Sequence, residues 1–179
     1  MNEQELIQLL KNPITLNSAF KELVSIYKER LYWHIRKIVI NHDDTDDVLQ
    51  NTFIKIFRNI TKFNEDSKLY SWMYRIATNE AITFINQRAK KNNSTTEEIQ
   101  QTILNNIVSD DYFDGNAAQL KLQKAIATLP QKQQLVFNMK YFDNIKYQDM
   151  SEILNTSIGA LKASYHHAVK KIEVYINNN

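Results

Sequence analysis

The sequence contains no cysteine, and it has only two glycines and two prolines among its 179 residues. Without cysteine the chain cannot form a disulfide framework, a zinc ribbon, an iron–sulfur cluster or a thiol nucleophile. Because glycine is so scarce, no glycine-rich loop can cradle a phosphate with its backbone amides, and hairpin turns lack their usual residues. These absences exclude the glycine-loop nucleotide-binding folds and disfavour β-meanders.

Long apolar runs are also missing. Nothing approaches the roughly 18 apolar residues of a membrane span, and residues 1–16 do not have the pattern of a signal peptide. We therefore expect a soluble, cytoplasmic protein that is not inserted in a membrane.

The charge is close to balanced, at +2, but it is unevenly distributed. Residues 1–91 hold 14 Lys/Arg against 11 Asp/Glu, residues 92–118 hold none against 5, and residues 119–179 hold 8 against 4. Two mildly basic segments flanking an acidic one indicate two units that can bind a polyanion such as nucleic acid, and the acidic segment between them indicates a linker.

Residues that could carry catalysis show no suitable arrangement. The four histidines, His34, His42, His166 and His167, do not stand at metal-ligand spacing such as H-E-x-x-H. Paired carboxylates between Asp43 and Asp47 are explained by a helix start, where they face unpaired amides and the positive end of the dipole. We expect no enzyme activity, cofactor, metal ion or small-molecule substrate.

Hydrophobic periodicity predicts helices along most of the chain. The predicted helices are Ser18–Ile40 with Asn17 as N-cap, His42–Ile60, Leu69–Lys91, a helix from Leu120, one opened by Pro130, Tyr147–Leu154 and Ser157–Ile176. Residues 92–118 are polar and acidic, so we interpret them as a linker, although apolar residues between Ile99 and Ile107 could form a short helix. The sequence thus predicts an all-α fold with two small helical domains, residues 1–91 and 119–179.

The segment from Tyr147 to Lys162 has the pattern of a helix-turn-helix. Ser151 is small enough for a close helix crossing, Asn155 tolerates a left-handed backbone in the turn, and Ser157 can cap the second helix. The inward positions of that helix are Ile158, Leu161, Tyr165, Ala168 and Ile172. Its opposite face carries Lys162, Ala163, His166 and Lys170 with His167 at the margin, and could lie in a major groove. A plain helical hairpin with solvated lysines is the alternative.

Aromatic and basic side chains are interleaved from Phe63 into the third predicted helix. Stacking platforms beside a basic track are typical of proteins that hold single-stranded nucleic acid, whereas aromatics at helical spacing more often form a core. The sequence leaves both interpretations open. The residues concerned include Phe63, Lys68, Tyr70, Trp72, Tyr74, Arg75 and Asn79.

Three motifs, in order, resemble bacterial sigma factors of the sigma-70 family, extracytoplasmic-function group. They read DTDDVLQNTFIKIF at 44–57, YSWMYRIATN at 70–79 and LPQKQQLVF at 129–137, the last followed by the helix-turn-helix. The resemblance covers about residues 17–174. It implies a two-domain initiation factor that binds core RNA polymerase, directs it to specific promoters and helps to melt the DNA.

The resemblance also implies roles for individual residues. The residues implied to dock onto the clamp coiled coil of the polymerase are Asp47, Gln50, Asn51, Phe53 and Phe57. Reading and melting of the minus-ten element falls to Phe63, Lys68, Ser71, Trp72, Tyr74, Arg75 and Asn79. Binding of the minus-thirty-five element falls to Ser157, Lys162, Ala163, His166, His167 and Lys170, in a domain that also contacts the polymerase flap. An anti-sigma factor is an implied further partner.

One departure concerns the recognition helix. Many relatives carry arginine after a Lys-Ser pair, whereas here Lys162 is followed by Ala163 and Ser164. Fewer guanidinium groups leave less capacity for bidentate reading of guanine, so we expect a different minus-thirty-five sequence, read in part through DNA shape.

Two other functions stay open: a conventional helix-turn-helix regulator acting without core polymerase, and an all-α interaction protein without a nucleic-acid role.

Overall fold

The computed structural model describes residues 2–109 and 116–179, and within them every regular element is helical. In chain order these are α1 (Glu3–Lys11), α2 (Leu16–Val39), α3 (His42–Asn59), a 3-10 helix (Ile60–Lys62), α4 (Leu69–Lys91), α5 (Thr96–Val108), α6 (Ala117–Ala127), α7 (Gln131–Tyr141), α8 (Tyr147–Leu154) and α9 (Ile158–Asn178). The all-α prediction is confirmed. None of the helices in these two ranges combines the length and the apolar character that crossing a membrane requires.

The chain forms two compact units, and the division between them falls inside α4, after Ile82. The acidic segment 92–118, expected to be a linker, contains α5, which packs on α6 within the second unit. Ile107 of α5 is buried there. Residues 110–115 of the expected linker lie outside the described residues.

The first unit begins with a helix that the periodicity did not predict. Asn2 caps α1 through a capping box with Glu5, and α1 buries Leu6, Ile7 and Leu10. The Thr15 hydroxyl then donates to the Leu9 carbonyl (2.7 Å), and α2 starts at Leu16. The predicted N-cap at Asn17 is therefore wrong, because the tie between α1 and Thr15 brings the helix start forward.

Local signals set the next two helices as predicted. The Asn41 side chain accepts a hydrogen bond from the Asp44 amide (3.0 Å) and caps α3, which buries Val48 and Leu49 against α2. Helix α4 runs over the predicted residues 69–91, where no glycine or proline interrupts it. Its inward residues in the first unit, Leu69, Met73, Ala77 and Ala81, are completely buried.

The second unit packs α6 and α7 on the long helix α9. The buried side chains at this junction are Ala125, Ile126, Leu129, Phe137, Ala168 and Ile172. Asn155 ends α8 in the left-handed conformation (φ 48°, ψ 51°), and the Ser157 hydroxyl accepts from the Ala160 amide (3.3 Å) at the start of α9. Both turn predictions are confirmed. Ile158 is exposed rather than inward, because the first turn of α9 lies beyond the core.

Candidate functional site

An apolar groove lies between α2 and α3 in the first unit. It encloses about 360 Å³, and its lining residues are Phe20, Val24, Gln50, Phe53, Ile54, Phe57 and Arg58. The Phe20 ring meets Phe53 and Phe57 edge-on, with centroid separations of 6.3 and 4.9 Å. Ile54 (41% exposed) and Phe57 (38% exposed) leave large apolar surfaces in contact with solvent. We call this feature the α2–α3 groove.

The polar residues expected to bind the polymerase continue the line of this groove along α3. Asp47, Gln50 and Asn51 are exposed, and they precede Ile54 at the three- and four-residue spacing of one helix face. Phe53 is half-buried. The five expected core-binding residues thus lie along one side of α3, where apolar surface adjoins a carboxylate and two amides.

The outer face of α4 presents a second exposed stripe. Lys68, Arg75 and Asn79 are exposed and Trp72 is half-buried, at successive spacings of four, three and four residues. The Trp72 ring rests on Phe63, with centroids 5.2 Å apart. Beside Asn79, Glu80 forms an ion pair with Lys55 of α3, which holds this part of α4 against α3. We call this stripe the α4 face.

Three of the residues expected to contact DNA are buried. Phe63 is buried and its ring contacts Trp72, and Ser71 is completely buried. Tyr74 packs on His34, with ring centroids 4.7 Å apart. Ser71 and Tyr74 lie on the inward side of α4, so in this structure their side chains belong to the core and not to the α4 face. Phe63 belongs to the wall beneath the α4 face.

A buried hydrogen bond fixes α4 on α2 at this point. His34 Nε2 and Thr78 Oγ1 lie 2.8 Å apart, and the Thr78 hydroxyl also reaches the Tyr74 carbonyl (2.7 Å). Both side chains are buried. Since buried polar groups are costly when unpaired, this contact specifies the rotation of α4 that turns Arg75 and Asn79 outward.

In the second unit, the outward face of α9 is exposed as the pattern predicted. All six residues expected to bind the minus-thirty-five element are exposed: Ser157, Lys162, Ala163, His166, His167 and Lys170. Leu161 and Ala168, which separate them along the helix, are buried. The helix-turn-helix therefore presents a short continuous face at the front of α9.

Comparison with known proteins gives one consistent answer. The family model described as sigma-70 region 2 matches residues 23–91, and the model described as sigma-70, region 4 matches residues 119–172. The ECF RNA polymerase sigma factor SigW of Bacillus subtilis is 32% identical over 158 residues, which span 83% of each chain. The chain belongs to the extracytoplasmic-function sigma factors.

Two solved structures share the fold. The sigma factor RpoE of Bartonella quintana, solved with the anti-sigma factor NepR, aligns with a TM-score of 0.68 at 18% identity, over 88% of this chain and 96% of that one. CnrH, solved with the cytosolic domain of CnrY, aligns with a TM-score of 0.70 at 18% identity, over 99% and 98% of the two chains.

As a sigma factor, this protein binds core RNA polymerase and directs it to promoters, and sigma factors are initiation factors rather than enzymes. The resemblance drawn from the three motifs is confirmed, and the conventional regulator acting without polymerase is set aside. The structure also identifies surface residues to which the three motifs assign no role.

Two sets of surface residues of this sigma factor escaped the sequence analysis. Ile54 lines the α2–α3 groove, and its spacing from Asp47 and Gln50 could have placed it on the same face of α3. Phe20 and Val24 line the groove from α2, and nothing in the sequence links them to α3. In the second unit, the Tyr147 ring is flanked by the ammonium groups of Lys140 (5.2 Å) and Lys162 (5.9 Å).

Tyr147 is neutral at physiological pH. Burial, followed by interaction with Tyr165, raises the pKa of the Tyr147 hydroxyl above its usual value. The side-chain nitrogens of Lys140 and Lys162 therefore lie beside an uncharged ring at the edge of the recognition helix.

Proposed function

We propose that the α2–α3 groove is where this sigma factor docks onto the clamp coiled coil of core polymerase. The exposed apolar surface of Ile54 and Phe57, next to exposed Asp47 and Gln50, supports this assignment. An apolar centre with a polar rim is the usual anatomy of a protein interface, and a groove between two helices accommodates a helical partner. This juxtaposition is the single observation that carries the proposal.

The α4 face and the loop before it are proposed to read and open the minus-ten element. Trp72, backed by Phe63, offers a flat ring on which an extruded base can stack. Asn79 carries both a donor and an acceptor for a base edge, and Lys68 and Arg75 supply charge for phosphates. Tyr74 and Ser71 act here through packing.

The front of α9 is proposed to bind the minus-thirty-five element as a recognition helix. Lys162, Lys170 and the added Lys140 are suited to phosphate contacts, while Ala163 and His166 face the base edges. On the same unit, exposed Tyr141 (56%) and Phe142 form an edge-on aromatic pair, 4.9 Å between centroids, that we assign to the flap contact.

Further parts of the assignment follow from the family. We propose that residues 1–91 and 119–179 serve as the two functional domains, with residues 92–118 between them, and that the protein acts in the cytoplasm without catalytic turnover. RpoE and CnrH were solved with partners, an anti-sigma factor and the cytosolic domain of CnrY, respectively. By analogy, an anti-sigma factor would regulate this chain.

A separation-of-function experiment tests the two main surfaces. Trp72→Ala and Asn79→Ala should retain affinity for core polymerase but reduce promoter opening, detected by permanganate reactivity of the minus-ten region. The double variant Asp47→Ala/Gln50→Ala should lose core affinity and open promoters normally once core is saturating. Glu29→Ala, an exposed change on α2, serves as control. Equal loss of both activities in all of the variants would contradict the assignment.

A further inference from the structure

Helix α1 has no role in the functions assigned above, and it precedes the region-2 family match, which begins at residue 23. Its position is nonetheless specific. It packs on the 3-10 helix Ile60–Lys62, directly before the loop 63–68 that leads into the α4 face. Leu6, Ile7 and Leu10 are buried, so α1 is firmly seated. Helix α1 is therefore packed in place beside that loop.

One side chain of α1 reaches the middle of the loop. Lys11 Nζ lies 2.5 Å from Glu65 Oε1, with 35% and 38% of the two side chains exposed. Glu65 has a left-handed backbone (φ 64°), which is unfavourable for a residue with a Cβ atom. A loop that contains such a residue needs support from outside, and Lys11 supplies an ion pair at that residue.

A second side chain of α1 reaches the far end of the loop. Glu3 Oε1 accepts a long hydrogen bond (3.4 Å) from the amide of Leu69, the first residue of α4. Amides in the first turn of a helix lack partners within the helix, and a carboxylate there also meets the positive end of the dipole. Burial, and secondarily Glu3, raise the pKa of Tyr27, which agrees with a Glu3 carboxylate turned toward α2.

We propose that α1 is a positioning element for promoter recognition: Lys11 and Glu3 hold loop 63–68 so that Lys68 and Trp72 face the minus-ten element. The proposal rests on the role given above to the α4 face. Lys11, Glu3 and Glu65 are positioning residues, and their effect passes through Phe63 and the loop. Their loss should reduce discrimination between promoters while leaving core affinity intact.

The first measurement detects the loop without DNA. Both tryptophans, Trp33 and Trp72, lie in the first unit, so the full chain carrying Trp33→Phe reports on Trp72 alone. Quenching of Trp72 by acrylamide should increase in Lys11→Ala and in Glu65→Gln. The matched control Lys28→Ala removes an exposed lysine from α2 and should leave quenching unchanged.

The second measurement uses the full chain with core polymerase. Transcription is compared between a cognate promoter and the same promoter with a substituted minus-ten element. The ratio should fall about 2- to 5-fold in Lys11→Ala and Glu65→Gln, the range expected for a partly exposed ion pair. The charge-exchanged double variant Lys11→Glu/Glu65→Lys should restore the ratio, and Lys28→Ala should keep it.

Each other outcome refutes the inference in a distinguishable way. Unchanged quenching together with equal losses on both promoters would make Lys11 a direct phosphate contact. Increased quenching with an unchanged ratio would mean that α1 orders the loop without affecting recognition. If Trp72→Ala also leaves the ratio unchanged, the minus-ten role of the α4 face fails rather than the contact between α1 and the loop.

Discussion

Truncating one side chain in the α2–α3 groove tests the polymerase-docking surface. Ile54→Ala removes an isoleucine that is 41% exposed on the folded chain. Full burial of an isoleucine side chain is worth about 1.5–3 kcal/mol, and the exposed fraction leaves about 0.6–1.2 kcal/mol for a partner to recover. Covering this surface at the clamp should therefore make Kd for core rise about 3- to 8-fold in Ile54→Ala.

The matched control is Ile26→Ala, on α2 of the same unit. Ile26 is the same residue type at similar exposure, 46%, but it does not line the groove. Both variants should fold with similar stability, because the two isoleucines are exposed to a similar extent. Competition against labelled wild-type protein for core polymerase gives the two affinities under identical conditions.

The outcome separates docking from a general effect of exposed apolar surface. We expect Ile54→Ala to weaken binding and Ile26→Ala to change it less than twofold. Equal weakening by both variants, or no weakening by Ile54→Ala, would refute the assignment of the groove to the clamp. Phe57→Ala should give a larger loss, but its contact with Phe20 makes part of that loss a folding effect.

Three stability predictions test the contacts that shape the surfaces. In urea denaturation followed by far-UV circular dichroism, Asn155→Val should destabilise the second unit by about 1–2 kcal/mol because of its left-handed backbone, whereas Asn155→Gly should be near neutral. Thr78→Val should cost about 0.5–1.5 kcal/mol, seen by tryptophan fluorescence of the first unit, because the buried hydrogen bond between His34 Nε2 and Thr78 Oγ1 is lost; an unchanged midpoint would refute this. Asn41→Ala should cost about 1 kcal/mol in the same assay through loss of the α3 cap, and Asn41→Asp should retain it.

The long helices were predictable because their determinants are local. Helix α4 starts after a polar turn and continues without a glycine or proline, and its predicted bounds match. Asn155 and Ser157 likewise act on their own backbone neighbours, so the turn of the helix-turn-helix could be predicted residue by residue. Family membership was within reach for the same reason, since it rests on motifs that are contiguous in the chain.

Short or tertiary-dependent features were missed. Helix α1 has nine residues and is stabilised by burial of one face, which a short periodic pattern does not reveal. The start of α2 depends on the Thr15 hydroxyl reaching back to α1. Aromatic residues at helical spacing on α4 look the same in the sequence whether they pack in the core or bind DNA. The sequence therefore could not distinguish buried Tyr74 from half-buried Trp72.

By itself, the sequence determined the helical class, the main helix boundaries, the turn before α9 and the sigma-factor family, because each depends on neighbouring residues or contiguous motifs. Only the tertiary structure decided that Tyr74 and Ser71 are buried, that Phe20 joins Ile54 and Phe57 in one groove, and that Lys11 meets Glu65. Those pairings join residues distant in the chain, such as Lys11 and Glu65, 54 positions apart. Apolar spacing predicts the core-facing side of a helix such as α9, but which aromatic side chains of α4 are buried depends on the elements packed against that helix.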